Sequence, residues 1–527
     1  MKLKKFFIRT VLAVSILNFM NVNLTFAQVP SKQALVQTKE AKIKTDKMDN
    51  TGNIDKNTDK KEKTTILAKE ENIIPSKTLF SVALSKVLLG MILAKEENII
   101  PSKTLDNATE NKVENVEFKS AILNWPEIPN AVMYELIVKN IDTQEVLFTK
   151  YNIYASGYQL DNSEVNLSQN LKWQVRGLDE NKVPVSDYTK PRLLHKGEMY
   201  KLNWQNKGDE YKLEDFSRCE YATYLVAKDV EISPLKITTH FDKMDYMPVY
   251  PVYSWVPVKN ADHYKIDVFY VPKYDFNNIE KIASYTCPQG MDYYDNKAYT
   301  KKGLYFFNVQ AYDKNNHKLA EAKNSYFTVK QDNVKVAALG DSITHGGGAV
   351  STPPSATLYN WETYANLPVL NIGFSGNLTS NMLNRFDNDV LSFNPKILVV
   401  MGGVNDIRTG VKAETVINNL TSIKQKCQQH NIIPVFLTVT SVNPPRMKSV
   451  INLDISEGWD KERLKINEWI EKQPYHVDVA SGLMDEQGYL ADNMTTDGLH
   501  PDFEGKKHIG ELVGDYLRAN FPDIVNN

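Results

Sequence analysis

Val334-Lys-Val-Ala-Ala-Leu-Gly340-Asp341-Ser342-Ile-Thr344 is the stretch from which the fold of this chain is read. Its apolar, partly β-branched run reads as a buried strand. The run stops at Gly340, where the chain can turn sharply. Ser342 then stands where a strand gives way to a loop or helix. In open α/β sheets, ligands bind beyond that end of the strands. A serine placed there can act as a nucleophile if a base reaches it. Asp341 and Ser342 suit a plain helix cap equally well, so this stretch alone leaves both readings open. The residues downstream separate them.

Strand-like runs recur at 368–373, 396–403, 432–440 and 475–480, and residues 411–430 and 461–472 show helical spacing. Strand alternating with helix predicts a parallel sheet covered on both faces. Polar residues gather where these strands end. Ser342 follows the first strand, Gly373-Phe-Ser375-Gly376 the second and Gly403-Val-Asn405-Asp406 the third, with Asp497-Gly-Leu-His500-Pro near the C-terminus. Acyl transfer needs this inventory. Ser342 would attack a carbonyl, His500 would take its proton, and Asp497 would orient the imidazole. The backbone N–H groups of Ser342 and Gly376 and the amide of Asn405 are candidate oxyanion donors. Each residue has a duller role: Asn405 a helix cap, Gly376 a turn, Asp497 and His500 a surface pair. Ser375 lacks the strand-turn setting of Ser342.

Gly340-Asp341-Ser342-Ile-Thr344, the isolated Gly376, Gly403-Val-Asn405-Asp406 and Asp497-Gly-Leu-His500 occur in that order. Over residues 333–525 this pattern resembles the SGNH (GDSL-type) hydrolases. The resemblance implies a three-layer, flavodoxin-like α/β domain with a parallel sheet. It implies a serine esterase working through an acyl-enzyme. Ser342, Asp497 and His500 would be catalytic, and Ser342, Gly376 and Asn405 would form the oxyanion hole. No cofactor is expected, and no metal either, because no metal-binding run such as His-Glu-x-x-His or an EF-hand loop stands in the sequence. No Gly-x-Ser-x-Gly run surrounds Ser342, which argues against the α/β-hydrolase elbow. His345 reads as a residue of a solvated loop. Tyr359, Trp361, Arg446 and the loop 441–458 are candidates for lining the site, and each equally suits core or surface.

Upstream the pattern is different. Short alternating runs at 121–125, 134–138 and 171–176 are echoed at 253–257, 264–268 and 303–311. Both sets read Trp, then Tyr opening a strand, then an aromatic-rich strand. Such runs, separated by turn residues, predict antiparallel sandwiches. They resemble two fibronectin type III or immunoglobulin-like modules, at 116–197 and 235–330, with 198–234 as the connection. Spacing, docking on polysaccharide or envelope, and a scaffold role are all open to them.

Lys2, Lys4, Lys5 and Arg9 precede an apolar stretch that ends near Ala27. This reads as a secretory signal peptide over residues 1–27. Asn18, Asn21 and Asn23 interrupt the apolar stretch and weaken a spanning reading, so no stable membrane span is expected after cleavage. Residues 28–115 read as a disordered linker, with residues 66–79 repeated at 92–105. The net charge of −2 gives no pull toward nucleic acid. The 27 tyrosines fall after residue 130, where packed β structure is expected. Cys219, Cys287 and Cys427 are too widely spaced for a metal pattern. Cys219 and Cys287 can pair, but free thiols are expected. Secretion together with sandwich modules favours O-deacetylation of a carbohydrate or cell-envelope glycan over action on a long-chain lipid. The substrate partner is then an acylated small molecule or glycan, with a cell-envelope polysaccharide among the candidates. A lysophospholipase or thioesterase, and an inactive surface-binding protein, are the alternatives.

Overall fold

The structure, a computed structural model, describes residues 117–194, 221–239, 241, 244–348 and 351–526. The expected signal peptide, the linker with its duplicated segment, and Cys219 lie outside the described residues.

The first module is built from antiparallel strands. They are β1 (Phe118–Asn124), β2 (Met133–Asn140), β3 (Val146–Ile153), β4 (Gly157–Asp161), β5 (Leu171–Leu178), β6 (Arg192–Leu193) and β7 (Ala222–Ala227). One sheet runs β4-β1-β7 and the other β3-β2-β5-β6. Side chains alternate faces along a strand, and in β5 Leu171, Trp173 and Val175 all turn inward. They join Leu123, Trp125 and Leu136 in one apolar cluster, in which the Trp125 and Trp173 rings lie 5.9 Å apart. β7 lies within the stretch expected to be a connection. It pairs with β1, with Tyr224 opposite Ile122. Leu225, opposite the buried Ala121, and Tyr221 pack against the module's apolar cluster, which is the physical reason the segment belongs to the module.

The second module holds β8 (Ser233–Pro234), β9 (Val252–Ser254), β10 (His263–Val271), β11 (Glu280–Pro288), β12 (Asp292–Tyr294), β13 (Gly303–Tyr312) and β14 (Lys318–Val329). Its main sheet runs β11-β10-β13-β14-β8, beside the pair β12-β9. The boundary expected near 330 separates strands but not cores. Buried apolar residues from Leu235 to Phe521 form one continuous cluster.

The C-terminal part contains β15 (Val336–Gly340), α1 (Ser342–His345), β16 (Val369–Gly373), α2 (Thr379–Asp389), β17 (Ile397–Met401), α3 (Val404–Arg408), α4 (Ala413–Gln429), β18 (Ile433–Leu437), α5 (Pro444–Val450), α6 (Trp459–Glu471), β19 (His476–Val477), α7 (Phe503–Asn520) and α8 (Pro522–Val525). The sheet order is β16-β15-β17-β18-β19, with every pairing parallel. Counted within this part, the order is 2-1-3-4-5, the flavodoxin-like arrangement whose crevice lies beside the first strand. Every residue of β15 and β17 is buried, as expected of central strands covered on both faces.

Gly340 and Gly373 pair at the ends of β15 and β16. A Cβ on Gly340 would stand 2.2 Å from Thr344 Oγ1, and one on Gly373 would stand 2.1 Å from the His345 nitrogen. Helix α1 therefore lies directly across both strand ends, and only glycine leaves room for it. That packing fixes where Ser342 stands.

Candidate active site

Ser342 opens the four-residue helix α1. The carboxylate of Asp341 caps that helix, with Oδ1 accepting from the Ile343 N–H at 2.9 Å. Capping and strand-end placement, two separate readings from sequence, thus hold together. Burial pushes the Asp341 carboxyl up to about 6. Its Oδ2 is buried without a partner. Lys506, fully buried on α7, donates from Nζ to the Ile343 carbonyl at 2.5 Å.

The turn before α7 brings in the base. Ser342 Oγ and His500 Nε2 are 2.9 Å apart, and His500 Nδ1 lies 2.7 Å from Asp497 Oδ2. A carboxylate only accepts, so Nδ1 carries the hydrogen and Nε2 presents its lone pair to the Ser342 hydroxyl. Asp497 Oδ1 accepts from the Leu499 and His500 N–H groups, each at 2.8 Å. Burial alone would raise the Asp497 carboxyl. The neighbouring imidazole and these donors outweigh burial and hold it below the ordinary carboxylate value. Such an arrangement can remove the Ser342 proton and stabilise the imidazolium that results.

Two loops meet opposite this chain of groups. Gly376 has φ +81°, the left-handed region that favours glycine, and a Cβ there would meet open space. It makes the turn that sequence alone suggested. Its N–H has no protein acceptor among the described residues. Asn405 is buried on α3 and donates from Nδ2 to the Asn377 carbonyl at 3.1 Å. Neither it nor Asp406 caps α3, whose cap position is Gly403. Asp406 instead accepts from the Thr379 N–H and hydroxyl, at 2.9 and 2.7 Å. Arg385 ties the second loop to the first strand. It donates to the Asn377 side chain at 2.7 Å, to the Gly340 carbonyl at 2.9 Å and to Asp389 at 2.9 Å. Ser342, Gly376 and Asn405 therefore sit on three strand ends that are hydrogen-bonded to one another.

His345 is not the solvated loop residue that the sequence suggested. It is 4% exposed, with Nε2 2.8 Å from the Tyr250 carbonyl and Nδ1 2.8 Å from Ser375 Oγ. Burial pushes it down to about 4. Ser375 and His345 make a second serine–histidine pair. The imidazole there spends its N–H on a carbonyl and lacks a carboxylate, so it is a poor base. Trp361 and Tyr359 are core residues: both are buried, and Trp361 packs so tightly on α7 that a Cβ on Gly510 would stand 2.1 Å from its carbonyl oxygen. Arg446 is engaged in an ion pair with Glu180 at 2.9 Å. Cys287 and Cys427 are buried free thiols, pushed up to about 12 by burial. Among the described residues no group of three His, Cys, Asp or Glu side chains is placed to hold a metal, and no helix is long and apolar enough to cross a membrane.

Comparison with known proteins bears on this geometry. Residues 338–508 match the GDSL-like Lipase/Acylhydrolase family. The C-terminal part carries a GDSL-like lipase/acylhydrolase domain. The uncharacterized lipoprotein YqeF of Bacillus subtilis (strain 168) is 31% identical over 114 residues, which is 20% of this chain and 47% of that protein. The chain thus spans about half the length of this curated relative. Similar solved structures include a lipase/acylhydrolase from Enterococcus faecalis, at 21% identity, covering 35% of this chain and 96% of that one, with a TM-score of 0.30. A GDSL-like lipase from Bacteroides thetaiotaomicron VPI-5482 is 19% identical, covering 36% and 90%, also with a TM-score of 0.30. The acetyl xylan esterase AlAXEase is 20% identical, covering 36% and 100%, with a TM-score of 0.28.

The GDSL-like domain also uses residues that sequence reasoning passed over. Lys506 had a legible signal. Phe503, Lys506, Ile509, Val513 and Leu517 share the buried stripe of α7, and a lysine on such a stripe needs a partner. Tyr250 gave no such signal, because its partners lie on other elements, and of Arg385's partners only Asp389, four residues on in α2, could be read from spacing.

Proposed function

We propose that this protein is a secreted or cell-surface serine esterase that removes O-acyl groups, acetyl foremost, from a carbohydrate or cell-envelope glycan. The observation that carries the esterase reading is the continuous path from Ser342 Oγ through His500, at 2.9 Å, to Asp497, at 2.7 Å. His500 takes the Ser342 proton as Oγ attacks the ester carbonyl. The N–H groups of Ser342 and Gly376 and the amide of Asn405 receive the charge that develops on the carbonyl oxygen. His500 then protonates the departing alkoxide, leaving an acyl-serine. Water activated by the same imidazole releases the acid. Asp497 holds the tautomer throughout and stabilises the imidazolium.

Support for the glycan comes from the rest of the chain. A basic, then apolar N-terminus directs export, and the B. subtilis relative is itself called a lipoprotein. In this reading the two β-strand modules before the hydrolase are fibronectin type III-like and dock the enzyme on polysaccharide.

The test is a substrate panel of acetylated sugars, p-nitrophenyl esters of rising chain length and a lysophospholipid, run on the wild type and on Ser342→Ala. Turnover of the acetylated sugars should lead, and the variant should lose at least about a thousandfold while still folded. Near-normal turnover by Ser342→Ala removes the nucleophile assignment. Preference for the lysophospholipid removes the glycan.

A further inference from the structure

The first module touches the catalytic end of the sheet on both sides of the turn that carries Asp497 and His500. On one side stands Glu180, in the turn after β5. Its Oε1 accepts from Arg446 Nη2 at 2.9 Å. Arg446, on α5, donates from Nε to the Thr496 carbonyl at 2.7 Å, one residue before Asp497. Its Nη1 lies 3.4 Å from Asp492. Its Cβ packs on the same turn, 3.0 Å from where a Cβ on Gly498 would stand. On the other side, the Val132 carbonyl of the first module accepts from Ser351 Oγ. Tyr359 there lies within the electrostatic reach of Glu127 and Tyr134 of that module and of Asp502. Asp502 Oδ2 in turn accepts from Thr496 Oγ1 at 2.5 Å. Thr496 is thus held from both flanks, and the Arg446 hold runs on to Glu180 of the first module.

We propose that Arg446, held by Glu180 of the first module, is a positioning residue for the Asp497–His500 turn, so that this module sets how well Ser342 is activated. The inference rests on the reading of Ser342, His500 and Asp497 as the reacting groups. The chemistry suits an arginine. Its planar fork presents several donors in fixed directions, so one side chain can bind a carboxylate and a carbonyl at once. The pair is about a quarter exposed on each side, at 23% and 26%. Solvent therefore screens it, and its contribution to global stability is small. Small displacements of a catalytic group, by contrast, cost rate steeply. The two effects predict different signatures: a positioning pair moves rate and spares the melting point, and a merely structural pair does the reverse.

The experiment uses the full chain. It measures kcat and KM on p-nitrophenyl acetate, the rate at which a fluorophosphonate labels Ser342, and the thermal midpoint. Glu180→Gln should lower kcat and labelling by about 3–10-fold, and Arg446→Met by about 10–100-fold, since a misplacement near 1 Å costs on the order of a hundredfold. KM and midpoint should hold in Glu180→Gln, because Glu180 touches neither ester nor core. In the Arg446→Met background, Glu180→Gln should add nothing, since Glu180 acts only through Arg446. Arg446→Lys, which keeps the charge and loses the fork, should fall between, and it replaces Arg446→Met if that variant misfolds. Wild-type kcat and labelling in Glu180→Gln overturn the proposal, as does a fully additive effect or a lowered midpoint at unchanged rate. If the wild type resists the fluorophosphonate, or Ser342→Ala still turns over, the underlying reading fails and the inference falls with it. A reactive wild type with an equally reactive Glu180→Gln sinks the inference alone.

Discussion

The imidazole of His345 donates from Nε2 to the backbone carbonyl of Tyr250 across 2.8 Å. Tyr250 precedes β9 of the second module, and His345 ends the helix that Ser342 opens. The Tyr250 ring stands edge-on to Phe374 at 4.7 Å, and Arg385 lies over it at 5.5 Å. Its hydroxyl donates to Asp389 at 2.7 Å. One residue of the second module thus supports α1, the loop leading to Gly376, and the arginine that binds the Gly340 carbonyl.

Tyr250→Phe isolates the hydroxyl and leaves the ring and the carbonyl in place. Asp389 is fully buried and would keep Arg385 and Asn388 as partners. Removing one donor to a charged acceptor should cost about 1.5–3 kcal/mol of stability. Urea denaturation measures this. No change in midpoint would mean that Arg385 alone satisfies the carboxylate.

Asp341 and His345 make opposing contributions in one pH window. The Asp341 carboxyl titrates near 6 in the folded protein and near 3.8 when unfolded. The folded state therefore binds more protons between these values, and this contribution to stability is lost as pH rises through them. His345 titrates near 4 folded and near 6.5 unfolded. Its unfolded state binds more protons, so stability is lost as pH falls through that range. The wild-type curve shows only the difference. Asp341→Asn, which keeps the oxygen that caps α1, should unmask a steeper loss of stability from pH 6 toward pH 4. Parallel midpoint-against-pH curves for the two proteins would refute the assignment.

Asn405→Ala separates an oxyanion donor from a packing residue. The lost donor should lower kcat by about a hundred- to a thousandfold, with KM little changed. The bond to the Asn377 carbonyl is also lost, so the midpoint should drop modestly, by about 1 kcal/mol equivalent. A lowered midpoint with unchanged kcat would leave Asn405 as a loop tether only.

Asp497→Asn preserves shape and removes the charge that orients His500. The amide would present a donor or an acceptor where only an acceptor selects the Nδ1–H tautomer. The expected loss in kcat is roughly ten-thousandfold at neutral pH. Steady-state turnover beside a circular-dichroism melt checks it. A loss under tenfold would place the tautomer under another group's control.

Much of the hydrolase part was legible in the order of residues. Period and composition determined the parallel strands, because β15, β17 and β18 are apolar on both faces, and β15 to β18 each end in glycine or are followed at once by glycine or a polar residue. The residue types Ser342, Gly376, Asn405, Asp497 and His500 named a chemistry, since few other uses need all of them at strand ends. Local rules also reached β1, β2, β5, β9, β10 and β13 in the two modules. They passed over other strands, among them β3, β11 and β14, and β7, which pairs with β1 inside the stretch read as a connection.

Only the tertiary structure decided what these residues do to one another. Sequence spacing cannot show that Ser342 and His500, 158 positions apart, meet at 2.9 Å. Nor can it show that His345 is buried against a carbonyl 95 positions earlier, or that Glu180 reaches Arg446 across 266 positions. A side chain's local preferences depend on its neighbours in the chain and are written there. Burial, protonation and mutual orientation depend on neighbours in space, and these exist only once the sheets and helices have packed.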